Sequence, residues 1–303
     1  MRVLVTGGAG FIGSHSVEAL LADDAQVVVL DNLSSGRREN LPVDERVTLV
    51  EGDIRNRSDV AAAMKGCTHV LNLAAQVSVR LSIEDPPTSA QHNVLGFANV
   101  LDCARQQGVE RVVYASSASV YGDPVELPLT EASPAVPLSP YGLDKLVNEQ
   151  QAALFGKLFG SSTMGLRYFN AYGPRQDPAS PYAGVISRFA AAIRGDEPLT
   201  VFGDGKQTRD FIFVKDIARV NLAALHSREN GICAVGTGCS VTLLELIAAL
   251  ALCIGRTPRV RHVEPQVGDI RHSAVTPARM KKLFPEIDPV ALAAGLPSLF
   301  SPD

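Results

Sequence analysis

Tyr141 and Lys145 stand four residues apart in the segment Tyr-Gly-Leu-Asp-Lys. On a helix that spacing puts both side chains on one face, one turn apart. An isolated tyrosine titrates near about 10, and an ammonium beside it favours the phenolate and lowers that value. The two together can serve as an acid/base near neutral pH. The same spacing also arises by chance, as a surface tyrosine over a solvated lysine, so its weight depends on what precedes it.

The chain begins with Arg2-Val-Leu-Val-Thr6, an apolar, β-branched run that reads as a buried strand. Gly7-Gly-Ala-Gly10-Phe11-Ile12-Gly13 follows at once, and then a helical stretch from Ser14 to Leu21. A strand, a glycine turn and a helix are the context in which this pattern binds a dinucleotide. Gly7 permits the tight turn, Gly10 lets backbone approach a pyrophosphate, and Gly13 lets helix and strand pack closely. The helix N-terminus offers N–H groups and the positive end of its dipole to the phosphates. A second strand, Gln26-Val-Val-Val-Leu30, ends in Asp31. A carboxylate there accepts from ribose hydroxyls and repels a 2′-phosphate, which favours NAD. Arg37 and Arg38 keep NADP open as the alternative. A third strand, starting near Arg111, runs into Tyr114-Ala-Ser-Ser-Ala-Ser-Val-Tyr-Gly122. That places small hydroxyl residues at a strand's carboxyl end, where open α/β sheets bind ligands.

The elements that must hold these residues alternate. Strands are expected near 2–6, 26–30, 47–51, 69–73, 111–115 and 162–167, with helices near 11–22, 58–65, 88–107 and 141–159. This alternation predicts an α/β fold with a doubly wound parallel sheet. The proline-rich stretch Pro124 to Pro140 is a loop, and Pro140 suits a helix start. Past residue 170 the pattern breaks into a loop at 173–181 and a helix at 185–193.

At 303 residues and 46% hydrophobic content the chain can build one large domain or two modest ones. A net charge of -4 gives no basic bias toward nucleic acid or membrane. The five cysteines form no Cys-x-x-Cys, so neither a disulfide framework nor a metal site is expected. No apolar run reaches the length of a membrane span, and no secretion signal is read at the N-terminus. A cytoplasmic enzyme is the expectation.

The motifs also appear in a familiar order: Gly7-x-x-Gly10-x-x-Gly13, Asp31, Gly52-Asp53-Ile54, Asn72-Leu73-Ala74-Ala75, Asn93, Ser116 to Gly122, and Tyr141-x-x-x-Lys145. This set resembles the extended short-chain dehydrogenase/reductases that act on nucleotide sugars. Arg167-Tyr-Phe-Asn-Ala-Tyr-Gly-Pro-Arg175, the segment Phe202 to Val214, and Val267-Gly-Asp-Ile-Arg-His-Ser273 carry the resemblance over nearly the whole chain. Among these enzymes it is most similar to UDP-sugar 4-epimerases, in particular the UDP-N-acetylglucosamine 4-epimerase branch.

The resemblance implies a Rossmann domain over 1–170 plus 211–232 and a smaller, largely C-terminal substrate-binding lobe over 171–210 plus 233–303. It implies bound NAD, held by the glycine turn with Phe11 and Ile12, by Asp31, Asn32, Ser35 and Gly36, and by Asp53 and Ile54 at the adenine. Leu73, Ala74 and Ala75 would add backbone contacts, Asn93 would brace the site, and Tyr168 with Phe169 would wall the nicotinamide. Ser117, Tyr141 and Lys145 would be catalytic, with Ser116 and Ser119 competing for the role of Ser117. The substrate, a UDP-sugar, would meet Ser78, Ser117, Ser119, Asn170, Gly184, Val185, Phe202, Arg209, Asp269 and Ser273. Asn170 and Arg209 would take the diphosphate and Asp269 the uridine ribose.

A second arginine common in the family is replaced by Gln266, with Arg261 and Arg271 as the candidates to substitute. Dehydratase relatives carry Asp-Glu, and decarboxylating relatives a glutamate, directly after the catalytic hydroxyl residue. Here Ala118 and Ser119 stand there. That favours oxidation at C4 to a 4-keto sugar and reduction from the other face. The family's wall beside the sugar C2 substituent corresponds to Ser273, whose small size leaves room for an acetamido group. The alternatives are a UDP-glucuronate 4-epimerase, a decarboxylase and a non-catalytic NAD-binding protein. A homodimer through the helices near 88–107 and 141–159 is also implied. Ala98, Leu101, Ala152 and Leu154 are available either to that face or to the core.

Overall fold

The computed structural model describes residues 1–178, 180, 183–264 and 270–300. They divide into two compact units: residues 1–122, 135–168 and 217–233, and residues 123–134, 169–216 and 234–303.

The first unit is built on strands β1 (Arg2–Thr6), β2 (Gln26–Asp31), β3 (Val47–Glu51), β4 (His69–Asn72), β5 (Arg111–Ser117) and β6 (Thr163–Tyr168). With Gly231–Val235 at one edge, the sheet runs Gly231–Val235, β6, β5, β4, β1, β2, β3. Every pairing from β6 to β3 is parallel. The order reverses at β1, which lies between β4 and β2, and defines the Rossmann switch point where ligands bind beyond the carboxyl ends of strands. Strands covered on both faces must be apolar throughout; Val3, Leu4 and Val5 are all fully buried.

Helices α1 (Phe11–Ala22), α2 (Arg57–Met64), α3 (Val79–Glu84), α4 (Pro86–Ala90), α5 (Gly96–Gln106) and α6 (Pro140–Phe159) flank this sheet, together with the helix Val214–His226, which belongs to this unit from residue 217 on. Phe97, Val100 and Leu101 of α5 join Val60 and Met64 of α2 and Tyr114 of β5 in one core. The Phe97 and Tyr114 ring centroids are 4.8 Å apart. The single helix expected over 88–107 is in fact three pieces. Between α4 and α5, residues Gln91–Leu95 form a π turn, a one-residue widening that recurs at functional sites.

In the second unit Thr208–Phe213 pairs antiparallel with Ser240–Thr242 and parallel with Asn170–Tyr172. Leu199–Phe202 pairs parallel with Val260–Val263. Helices Val185–Arg194 and Leu243–Ile254 close a core of Tyr172, Ile186, Phe189, Val201, Phe211 and Leu246.

These units differ from the expected division in four places, of which residues 169–170 and Cys233 are shifts of one or two residues at a boundary. Residues 211–216 belong to the second unit, because the strand carrying Arg209 continues its pairing to Phe213. Residues 123–134 belong there too: Leu129 exchanges backbone bonds of 2.8 Å with Ala274 and Thr276, and Glu131 accepts from the Ala234 N–H at 2.8 Å. Among the described residues no helix is long and apolar enough to cross a membrane.

Candidate functional site

The glycine turn is built for close backbone approach. Gly7 has φ +69°, and a Cβ on it would lie 2.7 Å from the Ala74 nitrogen. A Cβ on Gly13 would lie 2.1 Å from the Gly7 oxygen. Gly10 starts α1 without a side-chain cap. The first-turn N–H groups therefore point outward with no intrahelical acceptor, as at any helix start.

Asp31 is buried at the end of β2, where Oδ2 accepts from the Ala9 N–H and Oδ1 from the Leu33 N–H, each at 2.9 Å. Burial pushes its pKa up, and the two backbone donors oppose that. A carboxylate retains lone pairs beyond these two bonds for ribose hydroxyls. Arg38, weighed as a 2′-phosphate partner, is paired instead with Glu51 at 2.6 Å. Asn32 donates to Asp53 at 3.0 Å, and Arg55 holds the Asp53 carboxyl well below the usual range. Ser35 is exposed beside the buried Gly36, whose Cβ position is 3.0 Å from Asp31 Oδ1. Ile54 lies in the core, and Asn99 occupies its carbonyl at 2.9 Å.

The loop after β4 lies against this turn. The Leu73 N–H donates to the Thr6 carbonyl at 3.0 Å and the Ala74 N–H to Thr6 Oγ1 at 3.2 Å. Asn93, on the π turn, is fully engaged next to it. Its Oδ1 accepts from the Gln76 N–H at 2.9 Å, while its Nδ2 lies within reach of the Gln76 carbonyl, Asp144 Oδ2 and Ser89 Oγ at 3.0, 3.1 and 3.3 Å. These groups fit a dinucleotide: a turn with no room for side chains, an uncapped helix start and a buried carboxylate one strand away.

The Tyr-x-x-x-Lys segment opens α6. Ser139 caps the helix by accepting from the Gly142 N–H at 3.1 Å, and Pro140 fills the first turn, where no N–H is needed. A Cβ on Gly142 would lie 2.6 Å from the Ser119 carbonyl, so the helix start sits directly on the 3₁₀ turn Ala118–Tyr121. Tyr141 is 9% exposed, and the Ser117 hydroxyl is among the groups that act on its phenol. Lys145 donates to the Ala115 carbonyl at 2.9 Å, with Nζ 5.8 Å from the Tyr141 ring centroid.

The electrostatics differ from those read in the sequence. Burial dominates at Tyr141 and pushes its phenol up, the Ser117 hydroxyl opposes this, and Asp144 adds to the rise. Burial also pushes Lys145 down to about 8, against the pull of Asp144. Solvent exclusion sets the direction at both groups.

The three competing serines separate. Ser116 donates to Glu149 at 2.5 Å in a buried pocket, away from Tyr141. Ser117 acts on the Tyr141 phenol and donates to Ser119 Oγ at 3.1 Å. Sequence reasoning missed the buried fork beneath them, in which Arg167 Nε and Nη2 donate to Glu149 at 2.8 and 2.7 Å. Tyr141, Lys145 and Glu149 recur every four residues, and that spacing was the available signal. Asn221 was missed as well: it accepts from the Tyr168 hydroxyl at 2.6 Å and donates to Ser16 at 3.0 Å.

Ser78 is buried and caps α3, its Oγ accepting from the Leu81 N–H at 3.1 Å. In the second unit Asn170 donates to the Asp210 carbonyl at 3.0 Å, and Arg209 to the Thr208 carbonyl at 2.8 Å. Ser273 is half-buried; its N–H donates to the Thr208 carbonyl at 3.1 Å and its carbonyl accepts from Ser240 at 2.8 Å. Gly184 and Val185 start the helix that ends at Arg194, and Phe202 ends its strand partly exposed. Arg271, a candidate to replace the missing arginine, is forked to Asp204 at 2.8 and 2.7 Å, and Arg261 donates to Thr200 at 3.4 Å. Asp269 and Gln266 lie outside the described residues.

A Rossmann sheet with a glycine turn at its switch point and a Ser/Tyr/Lys group at the end of β5 and the start of α6 defines a dinucleotide-dependent enzyme of the short-chain type. The model of the NAD dependent epimerase/dehydratase family matches residues 3–236. A UDP-glucose 4-epimerase of Mycolicibacterium smegmatis is 38% identical over 302 residues, covering 98% of this chain and 96% of its own. The solved UDP-N-acetylglucosamine 4-epimerase from Methanobrevibacter ruminantium, in complex with UDP-N-acetylmuramic acid, is similar with TM-score 0.94 and 36% identity over 98% of this chain and 96% of its own. The UDP-glucose 4-epimerase of Thermus thermophilus, solved with NAD, gives 0.91 and 40% over 99% and 97%. The chain belongs to the NAD-dependent epimerase/dehydratase family, and NAD is its cofactor.

Proposed function

We propose that the chain is a UDP-sugar 4-epimerase that interconverts UDP-N-acetylglucosamine and UDP-N-acetylgalactosamine, with UDP-glucose and UDP-galactose as secondary substrates. The observation that carries this reading is that Tyr141 and Lys145 are both buried one turn apart on α6, with Lys145 Nζ 5.8 Å from the Tyr141 ring centroid, and share the site with Ser117 at the end of β5. Tyr141 takes the proton of the sugar 4-hydroxyl and later returns it. Ser117 holds the reacting oxygen, and the Lys145 ammonium favours the phenolate. Bound NAD would supply the hydride acceptor and donor for C4, held by the glycine turn at Gly7 to Gly13 and by Asp31.

Two features favour epimerisation over loss of water. Ala118 and Ser119 bring no acid to the site. The buried carboxylates of α6 are committed elsewhere, Asp144 to Ser89 and Asn93 and Glu149 to Ser116 and Arg167. The preference for N-acetylated sugars rests on Ser273, where a small side chain removes a clash.

A second copy of the chain pairs along α6. Leu143, Leu154 and Leu158 are exposed on one face, whereas Leu101 and Ala152 are core. The test is incubation of purified protein with a panel of UDP-sugars, read by NMR of the anomeric protons, together with identification of the nucleotide released on denaturation. Equilibration of both pairs and release of NAD(H) are expected. Conversion of UDP-glucuronate alone, or release of NADP(H), would refute the reading.

A further inference from the structure

Asp144 stands between Tyr141 and Lys145 in sequence and is 6% exposed on the inner face of α6. A charge removed from water is costly unless it is hydrogen-bonded or paired. Here one oxygen, Oδ2, lies 2.7 Å from Ser89 Oγ and 3.1 Å from Asn93 Nδ2. One carboxylate oxygen has the lone pairs to accept from both. The chemistry assigned to Ser117, Tyr141 and Lys145 gives this charge no task.

We propose that Asp144 is a positioning residue in two respects: its charge is the buried counter-ion against which the Tyr141–Lys145 pair titrates, and its hydrogen bonds fasten that pair's helix to the loop Leu73–Gln76.

The first respect follows from sign. A negative charge disfavours the phenolate and favours the ammonium, so it raises the pKa of both neighbours. It acts in that direction on Tyr141 and on Lys145. The pair therefore releases its first proton at a higher pH than it would beside a neutral residue.

Other charges packed on α6 are neutralised or remote. On α3, Arg80 and Glu84 pair at the surface at 2.7 Å. α4 carries no ionisable residue. The π turn brings His92, whose charged neighbours are Arg55 and Asp53. On α5, Asp102 pairs with Arg105 and Arg57, and Cys103 is buried. β5 brings Tyr114, in the core, and Arg111, which donates to the Ala224 and Glu229 carbonyls. β6 brings Tyr168, bonded to Asn221, and Arg167, paired with Glu149 of α6. The 3₁₀ turn brings Tyr121, whose ring lies 4.7 Å from the Arg167 guanidinium.

The second respect follows from connectivity. Asp144 holds Asn93, and Asn93 closes both backbone groups of Gln76, the residue after Ala75. The catalytic helix and the loop lying on the glycine turn are thus joined through a single carboxamide.

The inference takes its turnover assay from the epimerase reading, and a second readout is independent of it. Asp144→Asn keeps the shape and an acceptor oxygen but removes the charge. Its whole pH–rate profile should move toward acid by about one unit, the size expected for a neighbouring buried charge. The tyrosinate absorbance assigned to Tyr141, by difference from Tyr141→Phe, should move the same way. Asp144→Ala should add several-fold weaker NAD binding, because Asn93 loses its anchor. Asp144→Ser provides a second neutral variant should Asp144→Asn fold poorly.

A folded neutral variant with the wild-type profile and the wild-type phenol titration, or a shift toward alkali, overturns the counter-ion role. Unchanged NAD affinity in Asp144→Ala overturns the tether. If the wild type turns over no UDP-sugar, the epimerase reading fails, while the phenol titration still decides for or against Asp144.

Discussion

Removing the Glu149 carboxylate should be among the most damaging single changes in the first unit. Both side chains of the Glu149–Arg167 pair are only 6% exposed. The fork of 2.8 and 2.7 Å leaves little of the guanidinium to water, and the Tyr121 ring lies 4.7 Å from it. Glu149→Leu therefore strands a buried cation and also takes away the acceptor of Ser116. Breaking one side of such a pair costs about 3–5 kcal/mol, whereas replacing both partners with apolar residues is often close to neutral. At roughly 2–4 °C per kcal/mol for a unit of this size, the single variant should melt roughly 6–20 °C lower.

Glu149→Leu combined with Arg167→Met should recover most of that loss, short of the roughly 1–2 kcal/mol for an unpaired Ser116 hydroxyl. Thermal and denaturant unfolding of the wild type, both single variants and the double variant close the cycle. A loss below about 1 kcal/mol for Glu149→Leu, or a double variant that loses the sum of the two singles, would show that the pair is not coupled as its geometry demands.

Gly13→Ala drives a Cβ to 2.1 Å from the Gly7 oxygen; it should cost about 1–3 kcal/mol and abolish NAD retention. Gly160→Ala, at φ +70° with open space around it, should leave NAD bound, as read by the nucleotide released on denaturation. Tyr141→Phe should lower turnover by about a hundredfold or more while equilibrium dialysis still finds NAD and UDP-sugar bound; near wild-type turnover would remove Tyr141 from the chemistry. Ser273→Tyr should remove activity on the N-acetylated pair and spare the unsubstituted pair, and an equal fall in both would discard the gate. Leu154→Glu, placed on the exposed face of α6, should yield a monomer by light scattering; a wild type that is already monomeric would discard the pairing.

Much of the first unit could be read from local pattern because parallel strands buried on both faces are continuous apolar runs. Val3 to Val5 and Val27 to Leu30 show this, and both runs end in a glycine turn or an aspartate. The π turn could not be read, because its cause is tertiary: Asn93 is held by Gln76, Ser89 and Asp144, which lie 17, 4 and 51 residues away. The anchoring of Leu129 to Ala274 and Thr276 is hidden for the same reason. At the site, residue types and spacing named Ser117, Tyr141 and Lys145. The direction of the Tyr141 shift depends instead on how thoroughly water is excluded, and that is a property of the assembled unit.

The π turn also makes this part of the chain intolerant of changes in length. Each helical residue advances the side chains by about 100°. Deleting one residue between Gln91 and Leu95 would restore regular winding, yet it would rotate everything beyond by that angle relative to α4. Phe97, Val100 and Leu101 would leave the core, or Ser89 and Asn93 would leave Asp144. Surface loops absorb insertions freely. Here the number of residues between Ser89 and Phe97 is itself a structural parameter. A related chain with a gap in that interval must hold its catalytic helix by some other means.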